Sequence, residues 1–330
     1  MTGRERIQAA LSHREGDRCP LYLWVFDQPG VIEQINARFG SMDAFADDLD
    51  LDMIQAFPNG GPCLPSAFPA DLVTDDPTFG RVVDIAAAVD VPFGEVDADW
   101  IYEPIRAAVE HHQGRRGRAV FVQTPGVFEC ANGFLGLQQQ LMALALTPEL
   151  AARLYERIAD WSCAYIDHCA DLGVDTIHVS DDWGMQHGLL FRPEVWQRYI
   201  RPATERIAAA ARRRGLWLSL HSDGDVTALL PSIVEVGFNV CHPVQESAGM
   251  NALAVKQRFK GQLALYGGLD VQTVLGRGRP DLVADEVRRL LRTLKPGGGY
   301  IFCTSHMVQP GTPLDEVIEA YAVAREEAVY

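Results

Sequence analysis

The feature that most constrains the fold of this 330-residue chain is a recurring pattern of short apolar runs, most of which are followed by polar residues. These runs have the length and composition of buried β-strands, and most are separated by stretches with helical periodicity. They cover residues 19–26, 51–57, 119–124, 174–180, 216–220, 238–241, 262–266 and 300–303. Strands that alternate with helices indicate an α/β fold with a parallel sheet, and about eight of them predict a (β/α)8 (TIM) barrel.

The barrel is expected to occupy residues 1–330 as a single domain, with an irregular insertion at 58–104 after the second strand. That insertion is rich in Pro, Gly and Asp, and a hairpin is expected around residues 79–83. An open doubly wound sheet is the alternative, but it should carry a glycine-rich phosphate loop after an early strand. We find no such loop, since Gly297-Gly298-Gly299 precedes a strand and is interpreted as a turn.

Helix boundaries support the same alternation of strands and helices. Capping boxes are expected where Thr2 precedes Glu5 and where Thr312 precedes Asp315. Thr147 followed by Pro148 should begin a long helix.

The charge and cysteine content of the chain argue against several kinds of partner and cellular location. The net charge of −15 and the pI near 5.0 argue against partners that are nucleic acids or anionic membranes. The seven cysteines form no CxxC pair, which favours a reduced, cytoplasmic protein. We find neither a signal peptide nor an apolar run of the roughly 18 residues that a membrane span requires.

The fifth apolar run ends in His221-Ser222-Asp223-Gly224-Asp225. Residues two apart on an extended chain point to the same side, so His221 and Asp223 should face one space. His306 follows the eighth run, and the three side chains form a ligand set that zinc, iron or manganese could use. The simpler alternative is a polar turn in which Asp223 caps the next helix and His306 bonds to the backbone.

Other polar and aromatic residues follow the predicted strands and should share the carboxyl-terminal mouth of the barrel. Asp181 and Asp182 are candidates for proton transfer together with His306, although adjacent acids can also cap a segment. His242 and Cys303 lie at strand ends as well, and a buried inert thiol is the simpler interpretation of Cys303. His111 and His112 could bind a metal, but a solvated turn explains them more simply. The candidate substrate-binding residues are Trp24, Phe26, Asp27, Phe128, Trp183, Gln245 and Asp270.

Several motifs resemble the uroporphyrinogen decarboxylase superfamily, and they keep its order along nearly the whole chain. They are RERIQAALSHREGDRCP, SDDWGMQHGLLFRPEVWQRYIRP, HSDGD, HPVQ, GGLDVQ and HMVQPGTPLDEVIEAY. The resemblance implies a (β/α)8 barrel and either a decarboxylase or a zinc- and cobamide-linked methyltransferase. It does not imply uroporphyrinogen as substrate, because the arginine-bearing segment that binds its carboxylates is here Trp-Val-Phe-Asp-Gln-Pro at 24–29, without arginine.

The methyltransferase branch is similar to this chain at the fifth strand, where a His-x-Cys-Gly supplies zinc ligands and a later Cys completes the set. His221 matches that His, Asp223 falls on the Cys, and His306 falls at or near the later Cys. A carboxylate and an imidazole make a bound metal a stronger Lewis acid than thiolates do, and a metal-bound thiolate a poorer nucleophile. Methylation of thiols is therefore not expected.

The resemblance and the residues lead to a first hypothesis of a metal-assisted methyltransferase for a small methoxy or methylamine compound. The metal would be zinc, with iron or manganese as alternatives, and a corrinoid protein would be the partner. The alternative is a decarboxylase of a small aromatic acid, with His306 and Asp182 as acid and base. A third possibility is a barrel that binds a small ligand without catalysis.

Overall fold

The computed structural model describes residues 1–25, 30–62, 73–76 and 80–330, with backbone only for 73–76 and 80–83. The predicted site residues Phe26 and Asp27 lie outside the described residues. The chain divides into two compact units, each assembled from separate stretches of sequence. The first unit contains residues 1–54, 110–120 and 239–330, and the second contains residues 55–109 and 121–238.

The described strands and helices alternate along most of the chain. The strands are β1 (Met53–Ala56), β2 (Val73–Asp76), β3 (Gly80–Val83), β4 (Ala119–Pro125), β5 (Thr176–Ser180), β6 (Gly184–Met185), β7 (Gly188–Leu189), β8 (Trp217–His221), β9 (Val240–His242), β10 (Ala264–Leu269) and β11 (Tyr300–Thr304). The α-helices are α1 (Gly3–Leu11), α2 (Val31–Phe39), α3 (Met42–Asp48), α4 (Ile85–Ala88), α5 (Glu103–Ala108), α6 (Val127–Leu135), α7 (Leu137–Leu146), α8 (Pro148–Asp171), α9 (Pro193–Val195), α10 (Arg201–Arg213), α11 (Leu230–Val236), α12 (Ala252–Arg258), α13 (Pro280–Leu294) and α14 (Leu314–Ala328).

In the first unit, β10 pairs in parallel with β9 on one side and with β11 on the other. The predicted first strand contributes a parallel bridge between Leu21 and Phe302, next to which Tyr22 N donates to Phe302 O at 2.9 Å. On its other side, Asp52 N donates to Leu21 O at 2.9 Å. The start of the predicted first strand therefore lies beside the last strand, as a barrel requires.

In the second unit, β4, β5 and β8 form a parallel sheet. Its register places Phe121 opposite Thr176, and Ser180 opposite His221. The burial of every β5 side chain is typical of a parallel strand covered on both faces. Two antiparallel pairs, β2 with β3 and β6 with β7, also lie in this unit. The α/β class is confirmed, while closure of eight strands into a barrel stays a prediction.

The helix signals are confirmed in part. Thr2 and Glu5 form the expected capping box at α1, and α8 begins at Pro148. The second capping box is wrong, because Pro313 occupies the N-cap of α14 and has no side-chain oxygen to accept a hydrogen bond. No helix in the described part of the chain is long and apolar enough to cross a membrane.

The sequence led us to expect reduced cysteines throughout, but the described cysteines are of two kinds. Cys130 on α6 is disulfide-bonded. The free cysteines are Cys19, Cys163, Cys169, Cys241 and Cys303.

The carboxylate of Asp52 holds together the amino-terminal stretch of the first unit. Its side chain is 1% exposed and accepts from Arg18 Nη1 at 2.6 Å, from Leu21 N at 2.7 Å and from Arg6 Nη1 at 3.0 Å. Two guanidinium groups and one backbone N–H thus satisfy both oxygens. A buried carboxylate with these partners is costly to remove, because the charges left behind lose their compensation.

We expect Asp52→Ala to lower the free energy of unfolding by about 3–5 kcal/mol, since Arg18 would remain buried without its main partner. Asp50→Ala is the matched control, because Asp50 also bonds Arg18, at 2.8 Å, but its side chain is 60% exposed. It should cost less than about 1 kcal/mol. Urea unfolding of both variants measures the difference, and equal costs would contradict the assigned role of Asp52.

Candidate active-site residues

The carboxyl ends of the second unit's parallel strands carry a group of acidic side chains around one imidazole. The pairing of Ser180 with His221 brings the ends of β5 and β8 to the same level. His221 Nε2 lies 3.6 Å from Asp182 Oδ1 and 3.9 Å from Asp223 Oδ1. Asp223 N also donates to Asp182 Oδ1 at 2.9 Å. The sequence correctly predicted that His221 and Asp223 face one space.

Asp223 is perturbed by its surroundings. Burial, opposed by His221 and supported by the charges of Asp182 and Glu129, raises its pKa to about 6. A carboxyl group of this kind can exchange a proton near neutral pH or bind a cation that replaces the proton.

Asp181 has a different environment from its neighbour Asp182. It is fully buried, and its Oδ1 accepts from Glu129 N at 2.6 Å, which ties the start of α6 to the end of β5. A Cβ at Gly126 would come within 2.2 Å of the Asp181 side chain, so the glycine permits this close approach. Burial raises the pKa of Asp181 well above its usual range. Of the two adjacent acids, Asp182 is the one next to His221.

Glu129 is a site residue that the sequence analysis missed. Its Oε2 accepts from Ser180 Oγ at 2.6 Å, and burial together with the charge of Asp182 raises its pKa to about 7. The available signal was its position near the start of a helix that directly follows a strand end. His178 was missed as well; its Nδ1 lies 2.8 Å from Ser219 Oγ, and its ring centroid lies 6.0 Å from that of His221.

The predicted aromatic lining of this unit is packed inside it. Trp183 and Phe128 are both fully buried, with Trp183 edge-on to Trp196 at 5.2 Å and Phe128 edge-on to Phe191 at 5.1 Å. Because neither ring presents a surface to solvent, their expected contact with substrate is not seen. Both rings support the loops that carry the acidic group.

The first unit contains a separate cluster of aromatic rings and histidines. The Trp24 ring lies 5.0 Å from that of His242 and 5.1 Å from that of His306, measured between centroids. His242 also lies 4.2 Å from Tyr266. His306 is partly exposed, whereas Trp24 and His242 are buried. The predicted residues Trp24 and His306 therefore come together in this unit.

The remaining predicted residues of the first unit are mainly engaged in local structure. Asp270 Oδ1 accepts from Gln272 N and Thr273 N, each at 2.7 Å, and Oδ2 accepts from Ser247 Oγ at 2.6 Å. Gln245 is buried and donates to the same serine at 3.3 Å. These bonds give Asp270 a turn-stabilising role, although the sequence predicted substrate binding. Burial raises the pKa of Cys303 to about 12, in agreement with an inert thiol.

A second His/Asp group, Asp43 with His111 and His112, also lies in the first unit. Asp43 is 2.6 Å from His111 Nε2 and 3.6 Å from His112 Nε2. Burial, together with the charges of Arg118 and Arg116, lowers the pKa of His112 to about 4. Because these positive charges oppose a bound cation, we interpret the group as an ion-paired turn.

Comparisons with known proteins identify the family of this chain. The sequence model described as uroporphyrinogen decarboxylase (URO-D) matches residues 77–327. A uroporphyrinogen decarboxylase from Syntrophotalea carbinolica is 30% identical over 230 residues, which cover 66% of this chain and 62% of that protein. One from Coxiella burnetii is 23% identical, and the match covers 98% of this chain and 97% of that protein.

A methyltransferase from Methanosarcina mazei shares the fold, with a TM-score of 0.73, 18% identity and coverage of 99% of both chains. The parallel strands define an α/β protein, and members of the uroporphyrinogen decarboxylase superfamily are enzymes. The chain belongs to the uroporphyrinogen decarboxylase family.

Proposed function

We propose that this chain is a metal-assisted methyltransferase that removes a methyl group from a small methoxy or methylamine compound. A corrinoid on a partner protein would accept the methyl group. The observation that carries the proposal is the His221 imidazole flanked by Asp182 and Asp223, where the related methyltransferases have His-x-Cys. The fold shared with the M. mazei methyltransferase also supports it.

We infer that His221, Asp223 and His306 hold the metal, with His306 assigned from its sequence position. Ligand atoms about 2.0–2.2 Å from a tetrahedral zinc are roughly 3.5 Å apart. The 3.9 Å between His221 Nε2 and Asp223 Oδ1 therefore fits after a small side-chain adjustment. Mixed nitrogen and oxygen ligands suit zinc, and also iron or manganese. When bound, such a metal supplies Lewis acidity to the substrate's oxygen or nitrogen.

Glu129 and Asp182 would handle the proton of the reaction. When the methyl group leaves, the substrate's oxygen or nitrogen keeps the bonding electrons and takes up a proton. Glu129, with its pKa near 7, can hold that proton at neutral pH and donate it. The Ser180 hydroxyl, which donates to Glu129 Oε2, would fix the orientation of the carboxyl group.

The acidic group also limits the substrate class. Carboxylates around His221 favour a cationic or neutral compound and repel a polyanion. A methylammonium compound would be attracted by Asp182 and Asp223. A methoxy compound would enter without an electrostatic penalty.

The second candidate is a decarboxylase of a small aromatic acid. The names of the curated relatives favour it, and so does the partly exposed His306 ring beside Trp24, which could stack on a flat substrate. His306 and Asp182 would then act as acid and base. A requirement for a cobamide supports the first function, while release of carbon dioxide without a cobamide supports the second.

One set of incubations distinguishes the methyltransferase from the decarboxylase. Purified protein, loaded with zinc, is incubated with reduced cobalamin and with methoxy aromatics, methylamines or small aromatic acids. We expect formation of methylcobalamin and of the demethylated product. Carbon dioxide release from an aromatic acid, with no methyl transfer from any compound, would contradict the proposal.

Uroporphyrinogen itself should not be a substrate. The segment 24–29 contains no arginine, and four acidic side chains lie at the strand ends of the second unit, at Glu129, Asp181, Asp182 and Asp223. Because eight substrate carboxylates need cationic partners, we expect no coproporphyrinogen after prolonged incubation, as measured by fluorescence of the oxidised porphyrins. Conversion above that of a heat-inactivated sample would overturn this expectation.

A further inference from the structure

A pocket of about 200 Å³ lies in the first unit at the amino-terminal ends of β10 and β11. Leu263, directly before β10, and Gly298, before β11, line it together with His13, Lys256, Lys260 and Thr293. Asp270 and His306 follow the opposite, carboxyl-terminal ends of these two strands. The pocket is therefore distinct from the candidate active-site residues of this unit.

The lysines of the chain are concentrated around this pocket. Lysine occurs only at 256, 260 and 295, in a sequence with 29 basic residues in total. Lys256 lies on α12 and Lys260 in the turn after it, and both line the pocket. Two ammonium groups thus converge on a small cavity in a protein whose net charge is −15.

These two ammonium groups are not neutralised by salt bridges. Within the described residues, no carboxylate lies within ion-pair distance of Lys256 or Lys260, although ion pairs are common elsewhere on this chain. Lys256 Nζ donates to Gly298 O and keeps two further N–H groups. Burial, with a smaller contribution from the charge of Lys260, lowers the pKa of Lys256 to about 8. The nearby carboxylate of Glu15 instead accepts from Gly297 N at 2.7 Å.

The other lining groups complete a polar cradle. A Cβ at Gly299 would come within 2.6 Å of His13 Nδ1, so the glycine lets the imidazole lie against the turn that precedes β11. The Gln257 side chain adds an amide donor. Ammonium and amide donors around a cavity of this size match a compact, multiply charged anion.

We propose that this pocket binds a phosphoryl anion, as free phosphate or pyrophosphate or as the phosphate end of a nucleotide. Lys256 and Lys260 provide the charge-assisted hydrogen bonds, and Gln257 and His13 add polar contacts. Lysine serves as a point charge for phosphate, and a phosphate dianion would satisfy both ammonium groups at once. The site is independent of the proposed methyl transfer, and its occupant would act as a stabilising or regulatory ligand.

Isothermal titration calorimetry of the full chain with phosphate, pyrophosphate and ADP tests this. We expect pyrophosphate to bind, and Lys260→Glu to weaken its affinity by about tenfold or more. Arg279→Glu changes the net charge equally at an exposed residue outside the pocket and should leave the affinity unchanged. Lys256→Met, which keeps most of the apolar stem, should also weaken binding; circular dichroism checks that each variant is folded.

The three ligands distinguish the sources of the anion. Binding of both pyrophosphate and ADP indicates recognition of the phosphoryl group alone, and binding of ADP only indicates a nucleotide. Absence of binding by all three to the wild-type protein at millimolar concentration would overturn the proposal. An unchanged affinity in folded Lys260→Glu and Lys256→Met would overturn it as well.

Discussion

A chain that ends at Lys295 is expected not to fold. This truncation removes β11 and α14, and with them the pairing of β11 with β10 and the bridge from Phe302 to Leu21. The hydroxyl of Tyr321 on α14 also donates to Tyr22 O, so the amino-terminal segment would lose its packing partner. An exposed edge at β10 and an unpaired segment at 20–22 should lead to aggregation. Thermal unfolding followed by circular dichroism should show no cooperative transition.

A chain that ends at Ala328 is the control for this truncation. It loses Tyr330 and Val329, and with Val329 a single backbone bridge to Arg18, and it retains β11 and α14. It should unfold cooperatively with a Tm close to that of the full chain. A soluble fragment 1–295 with a sharp melting transition would contradict both the role of β11 and the expectation of one cooperative domain.

Replacing Glu129 by Gln is expected to reduce methyl transfer by about 100-fold or more at pH 7, because the variant lacks the carboxyl group that donates the proton. In the wild-type enzyme, kcat/KM should fall as the pH rises above about 7, where Glu129 loses its proton. Glu129→Gln should lack this alkaline limb. Glu149→Gln is the control, because Glu149 lies in the first turn of α8 and is not part of the acidic group.

Stability gives a second readout for Glu129 that does not depend on turnover. Its pKa is raised from 4.5 to about 7 in the folded protein, so the folded state binds more protons than the unfolded state between these values. The free energy of unfolding should therefore decrease as the pH rises from about 4.5 to about 7, by roughly 3 kcal/mol from this group. Urea unfolding of Glu129→Gln should show a shallower decrease. An identical pH dependence in both proteins would contradict the assigned pKa.

The strands of the parallel sheets were predictable because each is a short apolar run, and every predicted run contains or overlaps a strand or an isolated bridge. The first run was the least accurate, since after the Leu21 bridge residues 23–25 form no strand. The capping box at Thr312 failed because a proline at the N-cap shifts the helix start by one residue. Such one-residue shifts depend on backbone geometry that sequence spacing does not specify.

Contacts between site residues close in sequence were predictable from their spacing. Contacts that depend on the register of two neighbouring strands were not. His221 ends β8 and Asp223 lies two residues beyond it, and their side chains approach within 3.9 Å, as the spacing predicted. The bond from Ser180 to Glu129 depends on the parallel register of β4 and β5, which the sequence does not encode locally. Trp183 was predicted to line the substrate surface and is buried; a large aromatic residue in a polar loop has the same sequence signature whether it is buried or exposed.

Metal content is the most direct test of the claim that His221 and Asp223 form a metal centre. The protein should be purified without chelator or histidine tag and analysed by inductively coupled plasma mass spectrometry. We expect about one divalent ion per chain, and loss of that ion in His221→Ala and Asp223→Asn. Asp225→Asn is the matched control, because Asp225 lies in the same loop but its Oδ1 accepts from Thr227 N at 2.9 Å, and it should retain the metal. A folded wild-type protein that binds no divalent metal even after reconstitution, or a metal content unaffected by Asp223→Asn, would contradict the claim.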